Sequence, residues 1–260
     1  MHPENSEIIT EQKDGIATIQ LNRPNVLNAI NRHMLNQLDT EVNRLHQDPS
    51  VRIVILTSSS DKAFCVGADL NHIATFTPEC IRKWVIDGNR MLSRLANLRV
   101  PVIAEINGYT IGGGLEVALA CDLRIADDTS SFSLPEITHG WFPGWGGTNR
   151  LPNIIGETKA KEMIFLGERI DAKNALNLGL VNRIFPAKSL AAETAKIAGS
   201  LAEKSPVAIQ AAKAALSRTP LPENSFEINY EALALSTCFT TPEVKQTLQE
   251  IQNRHNERIT

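Results

Sequence analysis

Two glutamates beside unusual backbone segments are the best candidates for chemistry in this 260-residue sequence. Glu116 follows three consecutive glycines at 112–114, and Glu136 follows Pro135 ahead of a loop rich in glycine and proline. Apolar residues flank both glutamates, so we expect each carboxyl group to be at least partly removed from water. Such burial raises the pKa of a carboxyl group and lets it exchange a proton near neutral pH. The pair is therefore a candidate for general acid–base catalysis.

The glycine triplet is a candidate for binding a negatively charged oxygen. Glycine lets the backbone approach a ligand without interference from a side chain. The triplet also opens a predicted helix, whose first N–H groups have no partner within the helix and lie at the positive end of its dipole. Such N–H groups stabilise an oxyanion that develops during a reaction. A plainer interpretation stays open, in which Glu116 only complements the helix dipole and Glu136 lies in a solvated loop.

Strands and helices that would position these residues alternate along the first half of the chain. Alternating or continuous apolar runs predict strands, and apolar residues spaced three or four apart predict helices. Strands are predicted at 16–21, 51–58, 101–106, 122–127, 131–134 and 181–185, and helices at 31–47, 79–98, 112–121 and 171–179. Beyond residue 188 the pattern predicts three or four helices separated by prolines. The alternation favours an α/β protein with a mixed or parallel sheet.

Composition argues against several classes of protein. The sequence is 42% hydrophobic and 21% charged, which is typical of a globular protein and not of a disordered one. A net charge of −3 gives no basic excess for nucleic acid or an anionic membrane. No apolar run is long enough for a transmembrane helix, and no signal peptide is recognisable. The four cysteines are widely spaced, which favours a reducing compartment, and we expect a cytoplasmic protein.

Five segments, taken together and in order, resemble the crotonase superfamily, also called the enoyl-CoA hydratase/isomerase family. Three of them carry the candidate site: KAFCVGADL at 62–70, NGYTIGGGLEVALACD at 107–122 and PEITHGWFPGWGGTNRL at 135–151. The other two are LNRPNVLNAI at 21–30 and GERIDAKNALNLGLVNRIFP at 167–186. The similarity runs from about residue 8 to residue 240 without obvious large gaps.

The resemblance implies a fold, an assembly and a substrate. The expected fold is a spiral of ββα units over residues 1–195, followed by a helical C-terminal region at 196–260 that is used in trimer formation. The expected assembly is a homotrimer or a homohexamer. The expected partner is an acyl-CoA substrate, so coenzyme A belongs to the substrate and neither a metal nor a redox cofactor is needed. Neither nucleic acid nor a membrane is expected as a partner.

The resemblance also assigns roles to residues of this chain. The N–H groups of Ala68 and Gly113 form the oxyanion hole, Glu116 accepts a proton from water as its oxygen attacks Cβ of an enoyl-CoA, and Glu136 supplies a proton to Cα. The implied reaction is the reversible hydration of a 2-enoyl-CoA to a 3-hydroxyacyl-CoA. The implied substrate-binding residues are Val26, Ala63, Ala68, Asp69, Leu70, Gly113, Trp141 and Trp145.

Two features depart from the common pattern of the family. Trp145 stands where many hydratases have a small residue, so it either shortens the acyl pocket or packs away from it, and His139 is unusual as well. In the C-terminal helix, Leu248 replaces an aromatic residue and Ile251–Gln252 replace a Lys–Arg pair whose lysine contacts coenzyme A phosphates in relatives. Arg23, Lys62 and Arg254 are candidates to replace that lysine, although each is also explained as an ordinary surface charge.

Other functions stay open at this point. An enoyl-CoA isomerase of the same family generally keeps one catalytic carboxylate, whereas this chain has two. A decarboxylase of a malonyl-type thioester is favoured slightly by the PGWGG segment at 143–147. A non-catalytic coenzyme A-binding or RNA-binding member has less support, because RNA binding calls for a basic face. A purely structural α/β protein would make the glycine triplet and both glutamates coincidental.

Overall fold

The computed structural model describes residues 6–216 and 226–257, in which ten strands form two sheets. The strands are β1 (Ile8–Lys13), β2 (Ile16–Leu21), β3 (Ile53–Ser58), β4 (Ala63–Cys65), β5 (Val102–Ile106), β6 (Tyr109–Ile111), β7 (Leu123–Asp127), β8 (Ser131–Ser133), β9 (Ile170–Asp171) and β10 (Arg183–Phe185). One sheet has the order β1-β2-β3-β5-β7-β10, and the other has the order β4-β6-β8-β9.

Helices cover both sheets and make up most of the second half of the chain. They are α1 (Arg32–Gln47), α2 (Leu70–Ile73), α3 (Pro78–Ala96), α4 (Gly113–Leu119), α5 (Gly147–Ile155), α6 (Glu157–Leu166), α7 (Ala172–Asn177), α8 (Leu190–Ala202), α9 (Pro206–Leu216), α10 (Phe226–Cys238) and α11 (Pro242–Glu257). Each predicted helix and strand has a counterpart here, with ends shifted by a few residues. The α/β class expected from the sequence is therefore confirmed.

The larger sheet is mostly parallel and buried. β2, β3, β5, β7 and β10 run parallel, and β1 pairs antiparallel with β2 at one edge. β3 reads IVILTS and is buried along nearly its whole length. A parallel sheet with both faces covered needs such continuous apolar strands, rather than an alternation of apolar and polar residues.

Successive strands alternate between the two sheets. β3, β5 and β7 belong to the larger sheet, and the strands that follow them, β4, β6 and β8, belong to the smaller one. A helix then returns the chain to the larger sheet after the first two pairs, with α3 after β4 and α4 after β6. After β8, helices α5 and α6 lead to β9 at the edge of the smaller sheet, and α7 leads from there to β10 of the larger sheet. This is the repeated ββα unit that the resemblance implies.

Two long helices, α1 and α3, pack against each other, and α3 reaches the candidate site. α1 begins at Asn31, whose side chain accepts a hydrogen bond from the N–H of Met34 at 2.8 Å, and buries five apolar residues against the core. An N-cap of this kind stabilises a helix by about 1 kcal/mol. α3 begins at Thr77 in the same way and packs against α10 from the C-terminal region. α10 is therefore joined to the core through α3, whereas α11 packs against α2 and α8 packs against the larger sheet.

The structure differs from the sequence prediction mainly in short strands. β1 was not predicted, because IITEQK has only two apolar residues and pairs through its backbone with β2. The pattern does not predict β4, β6 or β9 either, since strands of two or three residues carry no periodic signal. Residues 1–5 of the expected core and residues 217–225 and 258–260 of the expected C-terminal region lie outside the described residues.

Candidate active site

The glycine triplet joins β6 to α4 and packs tightly against the loop after β4. A Cβ atom at Gly114 would lie 2.2 Å from the carbonyl oxygen of Cys65, and one at Gly67 would lie 2.9 Å from the backbone nitrogen of Gly113. Only glycine permits backbone segments to approach this closely. The loops that carry Ala68 and Gly113 therefore lie side by side, as the predicted oxyanion pair requires.

Glu116 lies in the first turn of α4 and is held in one orientation. It is 3% exposed, and its Oε1 accepts hydrogen bonds from the N–H groups of Trp145 at 2.7 Å and Gly147 at 2.8 Å. A Cβ atom at Gly147 would lie 2.9 Å from the same oxygen, so the loop approaches the carboxyl group very closely. Backbone donors fix the carboxyl group and favour its charged form.

Glu136 begins a single 3-10 turn, Glu136–His139, and is 9% exposed. Among the described residues, its Oε2 has no hydrogen-bond partner. A Cβ atom at Gly112 would lie 3.0 Å from its Oε1, so this glycine leaves room for the carboxyl group beside the triplet. Burial raises the pKa of Glu136 to about 7. The side chain is therefore able to hold or release a proton near neutral pH.

The two glutamates influence each other. Burial raises the pKa of Glu116 well above its ordinary value, and the negative charges of Glu136 and Glu231 raise it further. The N–H groups of Gly147 and Trp145 oppose this rise. Two carboxyl groups in one cavity repel each other when both are ionised. The pair therefore titrates as a unit and holds a proton at neutral pH.

A third buried carboxyl group, Glu231 on α10, holds the loop that bonds to Glu116. Glu231 is 3% exposed and accepts hydrogen bonds from Asn89 Nδ2 at 3.2 Å, from the N–H of Gly146 at 3.1 Å and from the hydroxyl of Thr148. Asn89 Nδ2 also donates to the carbonyl oxygen of Gly144 at 2.8 Å. Helices α3 and α10 thus fix the 144–148 loop from both sides.

Sequence reasoning missed Glu231 and Asn89. The available signal was a glutamate inside the apolar run YEALAL at 230–235 and an asparagine on the buried side of α3. A polar residue on an apolar helix face indicates a buried hydrogen bond. Its partners are distant in sequence, however, so the pattern alone did not reveal what these residues hold.

A cavity of about 140 Å³ brings most of the predicted site residues together. Seven predicted site residues line it: Ala68, Leu70, Gly113, Glu116, Glu136, Trp141 and Trp145. Apart from the two glutamates and His139, the lining is apolar side chains and backbone. His139 stacks on Trp141 with 5.3 Å between ring centroids, and burial followed by the charge of Arg254 lowers its pKa. Both glutamates therefore face the same largely apolar space, which also reaches the predicted oxyanion pair.

Three other predicted substrate-binding residues are not in the lining of this cavity. Val26 ends a short 3-10 turn and is 42% exposed, while Ala63 is fully buried in β4. Asp69 caps α2 by accepting a hydrogen bond from the N–H of Asn71. Their role in binding a substrate stays a prediction.

The candidate replacements for the missing lysine have different surroundings. Arg23 forms ion pairs with two carboxylates, one of them Asp69 at 3.0 Å, which gives it a structural explanation. Lys62 is exposed, and Arg254 pairs weakly with an acidic residue one turn earlier on α11, at 3.7 Å. Leu248 is buried in the core, where it packs with other apolar residues.

Across residues 6–216 and 226–257, no group of three or more histidine, cysteine, aspartate or glutamate residues could hold a metal ion. Within the same ranges, no helix has both the length and the apolar character needed to cross a membrane.

Comparison with known proteins places the chain in a family. A family model described as enoyl-CoA hydratase/isomerase matches residues 11–257. A short-chain-enoyl-CoA hydratase from Clostridium acetobutylicum is 36% identical over 243 residues, which cover 94% of this chain and 93% of that protein. A crotonyl-CoA hydratase from Syntrophomonas wolfei is 34% identical over 239 residues, covering 92% of each chain.

Solved structures give the same result for the fold. An enoyl-CoA hydratase from Bacillus anthracis superposes with a TM-score of 0.81 at 34% identity, covering 96% of this chain and 97% of the other. An enoyl-CoA hydratase from Mycobacterium avium subsp. paratuberculosis gives a TM-score of 0.85 at 26% identity, covering 96% of both chains. The chain therefore belongs to the enoyl-CoA hydratase/isomerase family and has the fold of the crotonase superfamily.

Proposed function

We propose that the protein is an enoyl-CoA hydratase, which adds water reversibly to a 2-enoyl-CoA to give a 3-hydroxyacyl-CoA. The observation that carries the proposal is the pair of buried carboxyl groups, Glu116 and Glu136, in one largely apolar cavity beside Ala68 and Gly113. Relatives at 34% and 36% identity that are hydratases of short enoyl-CoA thioesters support it.

The surroundings of the two carboxyl groups suggest which one is the base. Burial raises the pKa of both carboxyl groups, but two backbone N–H groups donate to Glu116 and oppose the rise there, whereas Oε2 of Glu136 has no donor among the described residues. We therefore assign the proton that the pair holds to Glu136. Charged Glu116 accepts a proton from water while the water oxygen bonds to Cβ of the substrate. Protonated Glu136 then supplies a proton to Cα.

Charge on the substrate has to be stabilised while these protons move. As the C–O bond forms at Cβ, the electron pair of the double bond shifts toward the thioester oxygen and gives an enolate. The N–H groups of Ala68 and Gly113 are proposed to bind this oxygen, and one such donor typically stabilises a transition state by about 3–4 kcal/mol. After Cα is protonated, Glu116 holds one proton and Glu136 holds none. The two carboxyl groups together therefore carry one proton before and after the reaction. The proposed reaction needs no metal or redox cofactor.

The decisive experiment follows the loss of the conjugated enone absorbance when the purified protein is mixed with crotonyl-CoA. We expect rapid loss with the unchanged protein and a fall of about 10²- to 10⁴-fold with Glu116→Gln or Glu136→Gln, because each variant removes one proton transfer. Glu105→Gln is the control, since Glu105 bonds to Thr57 on the larger sheet and does not line the cavity.

Other results would support a different reaction. Release of CO₂ from a malonyl-type thioester without hydration of any enoyl-CoA would make the protein a decarboxylase. Movement of a double bond from position 3 to position 2 without addition of water would make it an isomerase. Full activity of Glu116→Gln would remove that carboxyl group from the mechanism.

We further propose that the chain assembles as a homotrimer or as a hexamer of two trimers. Large apolar side chains are exposed at the end of α6, at Phe165 and Leu166, and along α10, at Phe226, Tyr230 and Leu233. Apolar groups that cluster on a surface favour contact with another chain. Light scattering at micromolar concentration should give three or six times the mass of one chain, and a monomer would contradict the proposal. The cytoplasmic location and the boundary at residue 195 stay predictions.

A further inference from the structure

The indole ring of Trp145 occupies a slot between two helices that only glycine residues leave open. A Cβ atom at Gly88 on α3 would lie 2.1 Å from Nε1 of the ring, and one at Gly113 on α4 would lie 3.3 Å from its Cε3. The ring is 3% exposed, and its Nε1–H donates to the carbonyl oxygen of Trp84 at 3.3 Å. Trp145 is therefore wedged in one position.

Trp145 also belongs to a rigid aromatic wall. Its ring lies 4.9 Å from that of Trp84, measured between centroids, and Trp84 lies 5.9 Å from Phe76. The guanidinium group of Arg32 lies 4.8 Å from the centroid of the Trp84 ring. A closely packed group of this kind does not move aside at low cost for a longer ligand.

This wall stands directly beside the reacting groups. The six-membered part of the indole ring faces the backbone of Gly113, the proposed oxyanion donor, and the backbone nitrogen of Trp145 donates to Glu116. An acyl chain whose thioester oxygen is bound at Gly113 therefore has little space before it meets the ring. The cavity as a whole measures about 140 Å³. An apolar cavity of about 150 Å³ holds one benzene molecule, which has six carbon atoms.

We propose that Trp145 is the floor of the acyl pocket and restricts the enzyme to short enoyl groups of about four to six carbons. The proposal rests on the hydratase function given above and names its substrate class. Trp145 acts as a specificity-determining residue, and Gly88 acts through it by leaving room for the ring. Trp141 forms a different wall, since it stacks on His139 and lies 5.5 Å from Phe239, and it serves as the matched control.

The test compares kcat/KM for crotonyl-, 2-hexenoyl- and 2-octenoyl-CoA in three proteins. The unchanged enzyme should prefer the four- and six-carbon thioesters over the eight-carbon one by about 100-fold, since a closed apolar pocket discriminates about 10- to 200-fold for each misfitting group. In Trp145→Ala the ratio of octenoyl to crotonyl activity should rise at least about tenfold. Trp141→Ala should leave that ratio unchanged, even where its overall activity is lower.

Binding measurements keep the test independent of catalysis and of a poorly folded variant. Calorimetry with butyryl-CoA and octanoyl-CoA, which cannot be hydrated, should give the same preference for the short chain in the unchanged protein. Trp145→Leu, which keeps an apolar side chain in the slot, should shift the preference in the same direction as Trp145→Ala.

Failure of this proposal is distinguishable from failure of the hydratase function. Equal activity of the unchanged enzyme on crotonyl- and octenoyl-CoA would overturn the floor assigned to Trp145 while leaving hydration intact. An equal shift in Trp141→Ala and Trp145→Ala would also overturn it. The protein could also fail to hydrate any enoyl-CoA while it still binds short acyl-CoA thioesters in preference to long ones. That result would overturn the hydratase function and leave the role of Trp145 in the pocket intact.

Discussion

The segments that carry Glu116 and Glu136 are built in opposite ways. Glu116 sits on a helix whose glycines touch backbone atoms of neighbouring loops, and two N–H groups hold its carboxyl group. Glu136 sits on a single 3-10 turn, and its Oε2 has no partner among the described residues. A base has to point at one water molecule, so a fixed orientation helps it. An acid has to keep its proton until the transfer, and few hydrogen-bond donors to its carboxyl group favour this protonated form. The contrast supports different roles for the two glutamates.

Glycine substitutions test this contrast most severely. A Cβ atom at Gly114, on the Glu116 side, would lie 2.2 Å from the Cys65 carbonyl oxygen, which belongs to the backbone of the smaller sheet and cannot turn away. A Cβ atom at Gly140, on the Glu136 side, would lie 3.0 Å from a methyl group of Val244, which is its nearest neighbour.

We expect Gly114→Ala to lower the free energy of unfolding by about 3 kcal/mol or more, or to prevent folding. Gly140→Ala should cost about 1–2 kcal/mol, mainly because φ at this position is +88°. Urea unfolding of both variants at one protein concentration measures the difference. Equal losses would mean that the two segments are equally constrained.

Removing each carboxyl group should affect stability unequally. Glu116→Ala leaves the N–H groups of Trp145 and Gly147 buried without an acceptor, and each orphaned donor costs about 1–3 kcal/mol. Because burial raises the pKa of Glu116 as well, we expect a full loss of about 2–4 kcal/mol at pH 5, where this carboxyl group need not be ionised, and a smaller loss at pH 8. The pKa of Glu136 is about 7 in the folded protein, above its ordinary value of 4.5. Burying this carboxyl group therefore lowers the free energy of unfolding, by an amount that grows from pH 4.5 to pH 7 and is complete above pH 7.

Glu136→Ala should therefore leave the free energy of unfolding unchanged or raise it at pH 8. Urea unfolding at pH 8 and at pH 5 separates the two effects, because the penalty of Glu136 is largely absent at the lower pH. A loss at pH 8 as large as that of Glu116→Ala would show that Glu136 has a structural partner.

Sequence and structure agree best where one short segment is enough to define a feature. IATIQL and the apolar spacing of α1 predict their elements because the signal repeats within the element itself. Glu116 and Glu136 were found in the same way, from the glycines and the proline beside them. The resemblance then supplied their roles, which spacing alone did not.

Features that depend on contacts between distant segments were not predictable. The smaller sheet consists of strands of two or three residues that are ordered by their partners. The slot for Trp145 exists because of Gly88, and the 144–148 loop is fixed by Glu231 from α10. Each of these needs two segments that the sequence separates widely, and a single sequence does not reveal such pairs.

Glu231 offers a smaller test of how firmly the Glu116 side is held. Glutamine in its place has one acceptor oxygen and an amide group that cannot accept from Gly146 N–H. We expect Glu231→Gln to lower the free energy of unfolding by about 1–2 kcal/mol and kcat for crotonyl-CoA by about tenfold, because the donors to Glu116 shift. KM should change less than kcat. The exposed Glu157→Gln on α6 is the control, and an equal effect there would remove Glu231 from the positioning of the loop.

The pH dependence of hydration gives the finest comparison of the two glutamates. Hydration requires a proton on the acid, and the pKa of Glu136 is about 7, so kcat/KM should fall by about fivefold between pH 7 and pH 8 as that proton is lost. In Glu116→Gln the neighbouring charge is gone, which makes ionisation of Glu136 easier. The alkaline limb of its residual activity should therefore move to lower pH.

Rates with crotonyl-CoA at constant ionic strength measure both profiles. A rate that rises through pH 7 and stays high at pH 8 would contradict the role of Glu136 as the acid. The proton for Cα would then have to come from a group that titrates at higher pH.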